Sequence, residues 1–257
     1  MIAEERRARI VDMVNTYGAV TVTELMTDLD ASESTVRRDL SHLHRNGLLR
    51  RVHGGATKLS TFEMVLANTN LESRRFEHME EKRAIGAYAA GLIGPKDFVF
   101  IDGGSTADCL VDAITETAAT YYTNSMPLAQ KLHAKGCRTF LPGGEVSPIS
   151  EVLVGSDTVA HISKCHFTIG FWGTNGADPE NGFTTPGFGE AAVKQVSLAH
   201  TMRPYIICDS SKFKTISLIK FAEFKDATII TDGLDEPSYK EAGTIVEVVD
   251  VREASEV

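Results

Sequence analysis

The sequence predicts an α/β chain in two parts: an N-terminal winged helix-turn-helix joined to a Rossmann-like, mainly parallel α/β domain. Three observations carry this expectation. Over residues 1–57 apolar residues recur at helical spacing between recognisable caps, and a short basic hairpin follows them. From residue 97 onward short apolar runs alternate with helical patterns, the signature of βαβ units. A polar, irregular stretch lies between, so the expected limits are 1–57, a linker over 58–75, and 76–257.

The first helix is "EERRARIVDMVNTYG", which sets Ile10, Met13, Val14 and Tyr17 at helical spacing and stops at Gly18. In "TVTEL", Thr21 and Glu24 form a capping box for a short second helix with Leu25 and Leu29 on one face. Ser32 caps the third helix, which runs to the Asn46-Gly47 stop. Val36, Leu40 and Leu43 share its core face; Ser34, Arg38, Ser41 and Arg45 lie opposite, flanked by Thr35, Arg37 and His42. Then "LLRRVHGGA" interleaves Arg50, Arg51 and His53 with strand formers before a Gly-Gly turn, which reads as a two-stranded wing.

The formal net charge of -9 argues against a nucleic-acid partner until it is divided along the chain. Residues 1–57 hold eight Arg and eight Asp or Glu, while the remainder holds 18 Lys or Arg against 27 Asp or Glu. Positions 37–53 alone hold five Arg against the single acid Asp39. A concentrated cationic face on an acidic protein is the footprint of a polyanion partner. Two adjacent arginines by themselves describe a solvated helix face; with a capped third helix and a basic wing they describe a double-stranded DNA reader, the helix in the major groove and the wing on the backbone. The expected DNA-binding residues are Ser34, Thr35, Arg37, Arg38, Arg45, Arg50, Arg51 and His53.

The stretch "VTVTELMTDLDASESTVRRDLSHLHRNGLLRRVHGGA" resembles the DNA-binding signature of the DeoR family of bacterial transcriptional regulators. That resemblance implies a recognition helix carrying Thr35, Arg37 and Arg38.

In the second part, a helix from about Glu77 carries Ile85, Ala89, Leu92 and Ile93 on one stripe and stops at Gly94-Pro95. Seven strands are expected at "DFVFIDGG", "TYYTNS", "TFLPGG", "FTIGFWG", "YIICDSS", "TIITD" and "VEVVD". Most end in Gly, Ser, Asn or Asp, and ligands of parallel sheets bind at the carboxyl ends of strands. Asp102 ends one strand, Gly103 and Gly104 let the backbone approach a ligand, and Ser105 and Thr106 open a helix whose free N–H groups attract an anion such as phosphate. Asn124, Ser125, Gly143, Gly144 and Gly176 end other strands at the same edge. Glu190 and Lys194 sit at i,i+4 spacing, either paired with each other or facing the ligand, and Lys212 follows "DSS" at a strand end. Trp172 is expected to pack rather than to stack on a ligand.

Together "IDGGST", "TNSMPLA", "LPGG", "GFTTPGFGEAAVK" and "CDSSKF" resemble, in order and spacing, the C-terminal sensor domain of DeoR regulators, although Gly103 stands where relatives commonly carry Ser or Ala. The resemblance implies a fold like that of ribose phosphate isomerases, glucosamine phosphate deaminases and CoA transferases. It further implies an effector that is a phosphorylated sugar, and a repressor of a carbohydrate-metabolism operon. The alternative reading is an active phosphosugar isomerase or deaminase that carries a DNA-binding module, with Asp102, Glu190 and Lys212 as its acid-base set. A nicotinamide-binding sensor is disfavoured, since no GxGxxG follows any strand.

Neither cofactor nor metal is expected: Cys109, Cys137, Cys165 and Cys208 are scattered singly, without metal-ligand spacing, and read as small buried hydrophobes. No apolar run approaches a bilayer span and the N-terminus lacks a signal-peptide core, so a cytoplasmic address is expected. The expected assembly is a homodimer or homotetramer that presents two recognition helices to neighbouring half-sites.

Overall fold

The computed structural model describes residues 3–45, 48–58, 77–147, 150–213, 215–234 and 237–248. The chain divides into two compact units, Met1–Ser73 and Arg74–Val257. The Asn46-Gly47 stop and all of the expected linker beyond Lys58 lie outside the described residues.

In the first unit α1 (Ala3–Tyr17) leads into a short strand, β1 (Ala19–Thr21). The capping box then forms as its residue types dictate: Glu24 N donates to Thr21 Oγ1 at 3.2 Å, and Thr21 N donates to Glu24 Oε2 at 2.7 Å, opening α2 (Val22–Leu29). Ser32 Oγ accepts from Thr35 N at 3.3 Å at the head of α3 (Glu33–Arg45). The wing strands are β2 (Arg50–Val52) and β3 (Gly55–Thr57), paired Val52 to Gly55 around a His53-Gly54 turn. β3 also pairs with β1, so the wing is three-stranded, in the order β1-β3-β2. Both glycines have a reason: Gly54 takes a φ of +86°, and a β-carbon on Gly55 would collide with the Val20 carbonyl of β1. Ile10, Val14, Leu25, Leu29, Val36, Leu40, Leu43 and Leu49 close the core. Tyr17 corrects the expected core stripe of α1. It is 71% exposed, because the helix ends there and the chain turns away into β1.

The second unit opens with α4 (Met79–Gly91), β4 (Phe98–Ile101), α5 (Ser105–Ala113), β5 (Thr120–Thr123), α6 (Met126–Ala134) and β6 (Arg138–Phe140). A small hairpin, β7 (Glu145–Val146) and β8 (Leu153–Val154), precedes α7 (Ser156–Ile162) and β9 (Phe167–Trp172). Next come β10 (Gly176–Asp178), β11 (Gly182–Thr185), α8 (Phe188–Ala199) and β12 (Thr201–Ile207). The described part ends with β13 (Ile219–Ala222), β14 (Thr228–Thr231), α9 (Pro237–Ala242) and β15 (Ile245–Glu247).

All seven expected strands enter one sheet, ordered β15-β14-β12-β9-β4-β5-β6, and every neighbouring pair is parallel. From β4 the chain travels outward through β5 and β6; from β9 it travels the other way through β12, β14 and β15. The strand order therefore reverses between β4 and β9, the switch point at whose carboxyl ends open α/β sheets generally bind their ligands. One face of the sheet packs Ile85 and Ala89 of α4, Leu110 of α5 and Leu128 of α6; the other packs Phe183 and Val193. Trp172 is fully buried, stacks on Phe100 with centroids 5.4 Å apart and donates to Ser197 Oγ at 2.9 Å, so it packs. An antiparallel sheet, β10-β11-β13, completes the unit.

Candidate functional site

The cations of the first unit are sorted by the geometry of α3. Asp39, 2% exposed, turns inward and accepts from Arg6 Nε at 2.6 Å and Arg7 Nε at 3.0 Å of α1. Burial alone would push the Asp39 carboxyl up, but the hydrogen bonds and charges of Arg6 and Arg7 outweigh it and hold the group below the usual carboxylate range. The acid in the basic stretch is thus spent on helix packing, and the outer face keeps its positive charge. Ser34, Arg37 and Arg38 are exposed there. Arg37 is tethered to Glu33 at 2.7 Å, whereas Arg38 makes no hydrogen bond or ion pair among the described residues. Thr35 is half-buried, its hydroxyl 2.9 Å from Ser32 Oγ, and Arg45 is the last residue of α3. From the wing, Arg51 Nη1 donates to Ser41 Oγ at 2.7 Å, which fixes the wing to the outer face of α3. Arg50 and His53 are exposed on β2 and on the turn. A guanidinium without a partner, flanked by tethered ones, suits base reading beside backbone contacts.

At the switch point of the second unit, Asp102 directly follows β4 and is 3% exposed. Its partner is Lys194 of α8, 5% exposed, which donates to Asp102 Oδ2 and, at 2.8 Å, to the Gly173 carbonyl at the end of β9. Burial pushes the Asp102 carboxyl above its usual range, against the pull of the Lys194 ammonium. Lys194 is therefore a tie across the switch point, with two of its donors already committed. Glu190 does not pair with Lys194. Instead it accepts from Ser150 Oγ at 2.6 Å and from Thr185 Oγ1 at 3.4 Å.

Gly104 is the N-cap of α5 and brings no side-chain cap, so the first amides of that helix, at Ser105 and Thr106, lack a side-chain acceptor at its head. An anion there gains roughly 0.3–2 kcal/mol from the helix dipole. A cleft of about 370 Å³ opens beside Ser105, between Arg83 of α4 and Asp108 of α5. Asn124 and Ser125 follow β5 one register step beyond the Ile101–Thr123 pair, hence alongside Asp102 and Gly103. Asn124 is 1% exposed and its Oδ1 has no hydrogen-bond partner among the described residues. Such an orphan acceptor at a crevice asks for a donor.

Other expected residues have partners of a different kind. The space a β-carbon on Gly103 would take is filled by a Val152 methyl, that on Gly144 by Thr158, and that on Gly176 by the Thr215 carbonyl. Gly143 donates to His161 Nδ1 at 3.3 Å, and Lys212 donates to Ser211 Oγ at 3.0 Å on the 3₁₀ turn after β12. Ser150, Val152, Thr185 and the Gly173 carbonyl were not singled out in sequence. The threonines in "GFTTPGFGE" were the available signal, while Val152 lies in a loop without one. Cys109, Cys137 and Cys208 are buried and Cys165 is half-buried. Among the described residues no group of three His, Cys, Asp or Glu is placed to hold a metal, and no helix is long and apolar enough to cross a membrane.

Two family models match the chain. The DeoR-like helix-turn-helix domain matches residues 6–62, and the DeoR C terminal sensor domain matches residues 77–233. The uncharacterized HTH-type transcriptional regulator FruR of Bacillus subtilis (strain 168) is 35% identical over 253 residues, covering 97% of this chain and 99% of that protein. The lactose phosphotransferase system repressor of Streptococcus mutans is 32% identical over 253 residues, covering 97% and 100%. Among solved structures, ribose 5 phosphate isomerase A from Neisseria gonorrhoeae is a distant likeness, with a TM-score of 0.38 at 16% identity over 55% of each chain.

Proposed function

The chain belongs to the DeoR family of transcriptional regulators, and from that premise we propose that it represses a carbohydrate-metabolism operon and lets go of its operator when a phosphorylated sugar binds. The observation that carries this reading is the sidedness of α3. Its one acid within the basic stretch is turned inward to Arg6 and Arg7, and Arg37, Arg38, Arg50 and Arg51 remain outward for duplex DNA. The sugar phosphate is assigned to the β4–β9 crevice, with its phosphate at the amides of Ser105 and Thr106 and its hydroxyls toward Asn124, Ser125 and Glu190. Gly103, Gly104, Lys194 and Lys212 shape and charge that crevice.

Regulation rather than catalysis is supported by what the carboxylates are doing. A proton-transfer enzyme needs a carboxylate free to act as base. Asp102 is locked to Lys194, and Glu190 accepts from two hydroxyls. The protein acts in the cytoplasm, where operator and sugar phosphate meet, and as a homodimer or homotetramer that sets two α3 helices on adjacent half-sites. Thermal unfolding of the full chain against a panel of hexose monophosphates tests the sensor assignment, since a ligand stabilises the state that it binds. At least one member is expected to raise the midpoint while remaining chemically unchanged. Turnover would restore the enzyme reading, and the absence of any shift would remove the sensor.

A further inference from the structure

Glu190 is the third residue of α8, a position from which a glutamate can turn back on the free N–H of its own N-cap. Here the carboxylate is engaged elsewhere: Oε1 accepts from Ser150 Oγ at 2.6 Å, and Oε2 accepts from Thr185 Oγ1 at 3.4 Å. The two oxygens are unequally served. A hydroxyl has one proton to give, and that of Thr185 lies as near to Asn175 Oδ1, at 3.3 Å, as to Glu190. Both distances exceed the usual O–H···O range, so Oε2 keeps most of its accepting capacity while Oε1 is met in full.

The donor on Oε1 belongs to a strap, residues 150–153, laid across the ends of β4 and β5. Val152 bridges Ser125 in the antiparallel sense, and Leu153 N donates to the Asn124 carbonyl at 2.7 Å. Val152 is also the residue whose methyl fills the space beside Gly103. Glu151 carries the bend. Its φ of +53° is left-handed, a conformation that a non-glycine residue keeps only where neighbouring bonds hold it, and its carbonyl accepts from Met126 N at 3.2 Å. Ser150 lies on the far side of that bend, where its hydroxyl is also 2.9 Å from Ser147 Oγ. The strap is thus seated at Val152 and Leu153 and latched to α8 by one serine hydroxyl.

We infer that Glu190 reads two adjacent hydroxyls of the sugar phosphate, and that the Ser150 hydroxyl stands in the place of one of them until the sugar displaces it. The inference rests on the sensor reading above and gives its ligand a chemical class, a phosphosugar with a vicinal diol. Adjacent ring hydroxyls can give one hydrogen bond to each oxygen of a carboxylate, and bonds to a charged acceptor are the strong ones. Oε2 takes the first hydroxyl, beside Thr185. The second competes with Ser150 for Oε1; when it wins, the strap opens at Glu151 while Val152 stays on Gly103. The displaced serine hydroxyl still has Ser147 beside it. The two sugar hydroxyls are therefore worth different amounts, since only the second replaces a bond that the chain already makes.

The test is calorimetric affinity of the full chain for its best binder in a hexose monophosphate panel and for the monodeoxy analogues of that sugar. In the parent, removing one hydroxyl should weaken binding about 10-fold or more. Removing its neighbour should weaken binding much less, because Ser150 keeps Oε1 supplied. Ser150→Ala should bind the complete sugar more tightly, by about 2–10-fold, and the penalty for the second analogue should rise to match the first. Inorganic phosphate should bind parent and Ser150→Ala alike. In Glu190→Gln both penalties should fall toward unity; Ser150→Ala carries the test if that variant does not fold. Weaker sugar binding by Ser150→Ala, or deoxy penalties the same as in the parent, overturns the inference. A sugar that binds the parent no better than all of its deoxy analogues overturns it alone, whereas a panel without any binder removes the sensor reading and this inference with it.

Discussion

Arg38 and Asp39 adjoin in the chain and point to opposite sides of α3, and their substitutions should separate function from stability. Arg38→Ala removes an exposed guanidinium that has no partner among the described residues. It should weaken operator binding by about 1–3 kcal/mol and leave the unfolding midpoint unchanged; equal DNA affinity for variant and parent would refute the helix assignment. Asp39→Ala strips two arginines of a charged acceptor and should cost the first unit about 1.5–3 kcal/mol in denaturant titration. Because the folded Asp39 carboxyl lies below its unfolded value near ~3.9, its contribution is fully present above that pH. It fades as the pH falls through the lower folded value, so the stability gap between parent and Asp39→Asn should close in strong acid. At the crevice, Gly103→Ser must displace Val152, an overpacking of about 1–3 kcal/mol. The effector dose response should be blunted with DNA affinity spared, and Val152→Ala should restore it; a parental dose response in the single variant would place Gly103 outside the site.

At the scale of elements, the wing and the switch point each depend on one close approach. Gly55→Ala forces β3 away from the Val20 carbonyl and should loosen the wing, seen as faster amide exchange at Ala56 and Thr57 with the second unit unaffected. Lys194→Met leaves Asp102 buried without its cation and unties β4 from β9, at a cost of roughly 3–5 kcal/mol to the second unit. If that variant loses sugar binding with no loss of stability, Lys194 is a ligand rather than a tie. These elements also show what the sequence made legible. Caps, helical stripes and strand ends are local, so α2, α3 and all seven sheet strands could be read from residue spacing. β1 could not, because "AVT" is three residues long and merges with the Thr21 capping box. The start of β12 was hidden by Pro204, tolerated because pairing with β14 begins only at Tyr205. Partnerships across the chain were beyond local patterns. Glu190 and Lys194 share a helix, yet Lys194 reaches 92 residues back to Asp102 and Glu190 reaches 40 residues back to Ser150.

For the whole molecule, the acidic balance of the second unit and the cationic face of the first divide the work. The net charge of -9 discourages indiscriminate polyanion binding, while on the proposed reading the α3 and wing arginines would supply a local, salt-sensitive hold on phosphates. The central claim is that this hold is conditional on a sugar phosphate in the β4–β9 crevice. Its most direct test is operator affinity of the full chain at fixed, low ionic strength while a hexose monophosphate that stabilises the protein is titrated in. The account predicts tight binding to a promoter fragment that is lost as the sugar saturates, with inorganic phosphate a weaker substitute. Operator affinity that stays constant across saturation, or no preference for any promoter fragment at the outset, would contradict it.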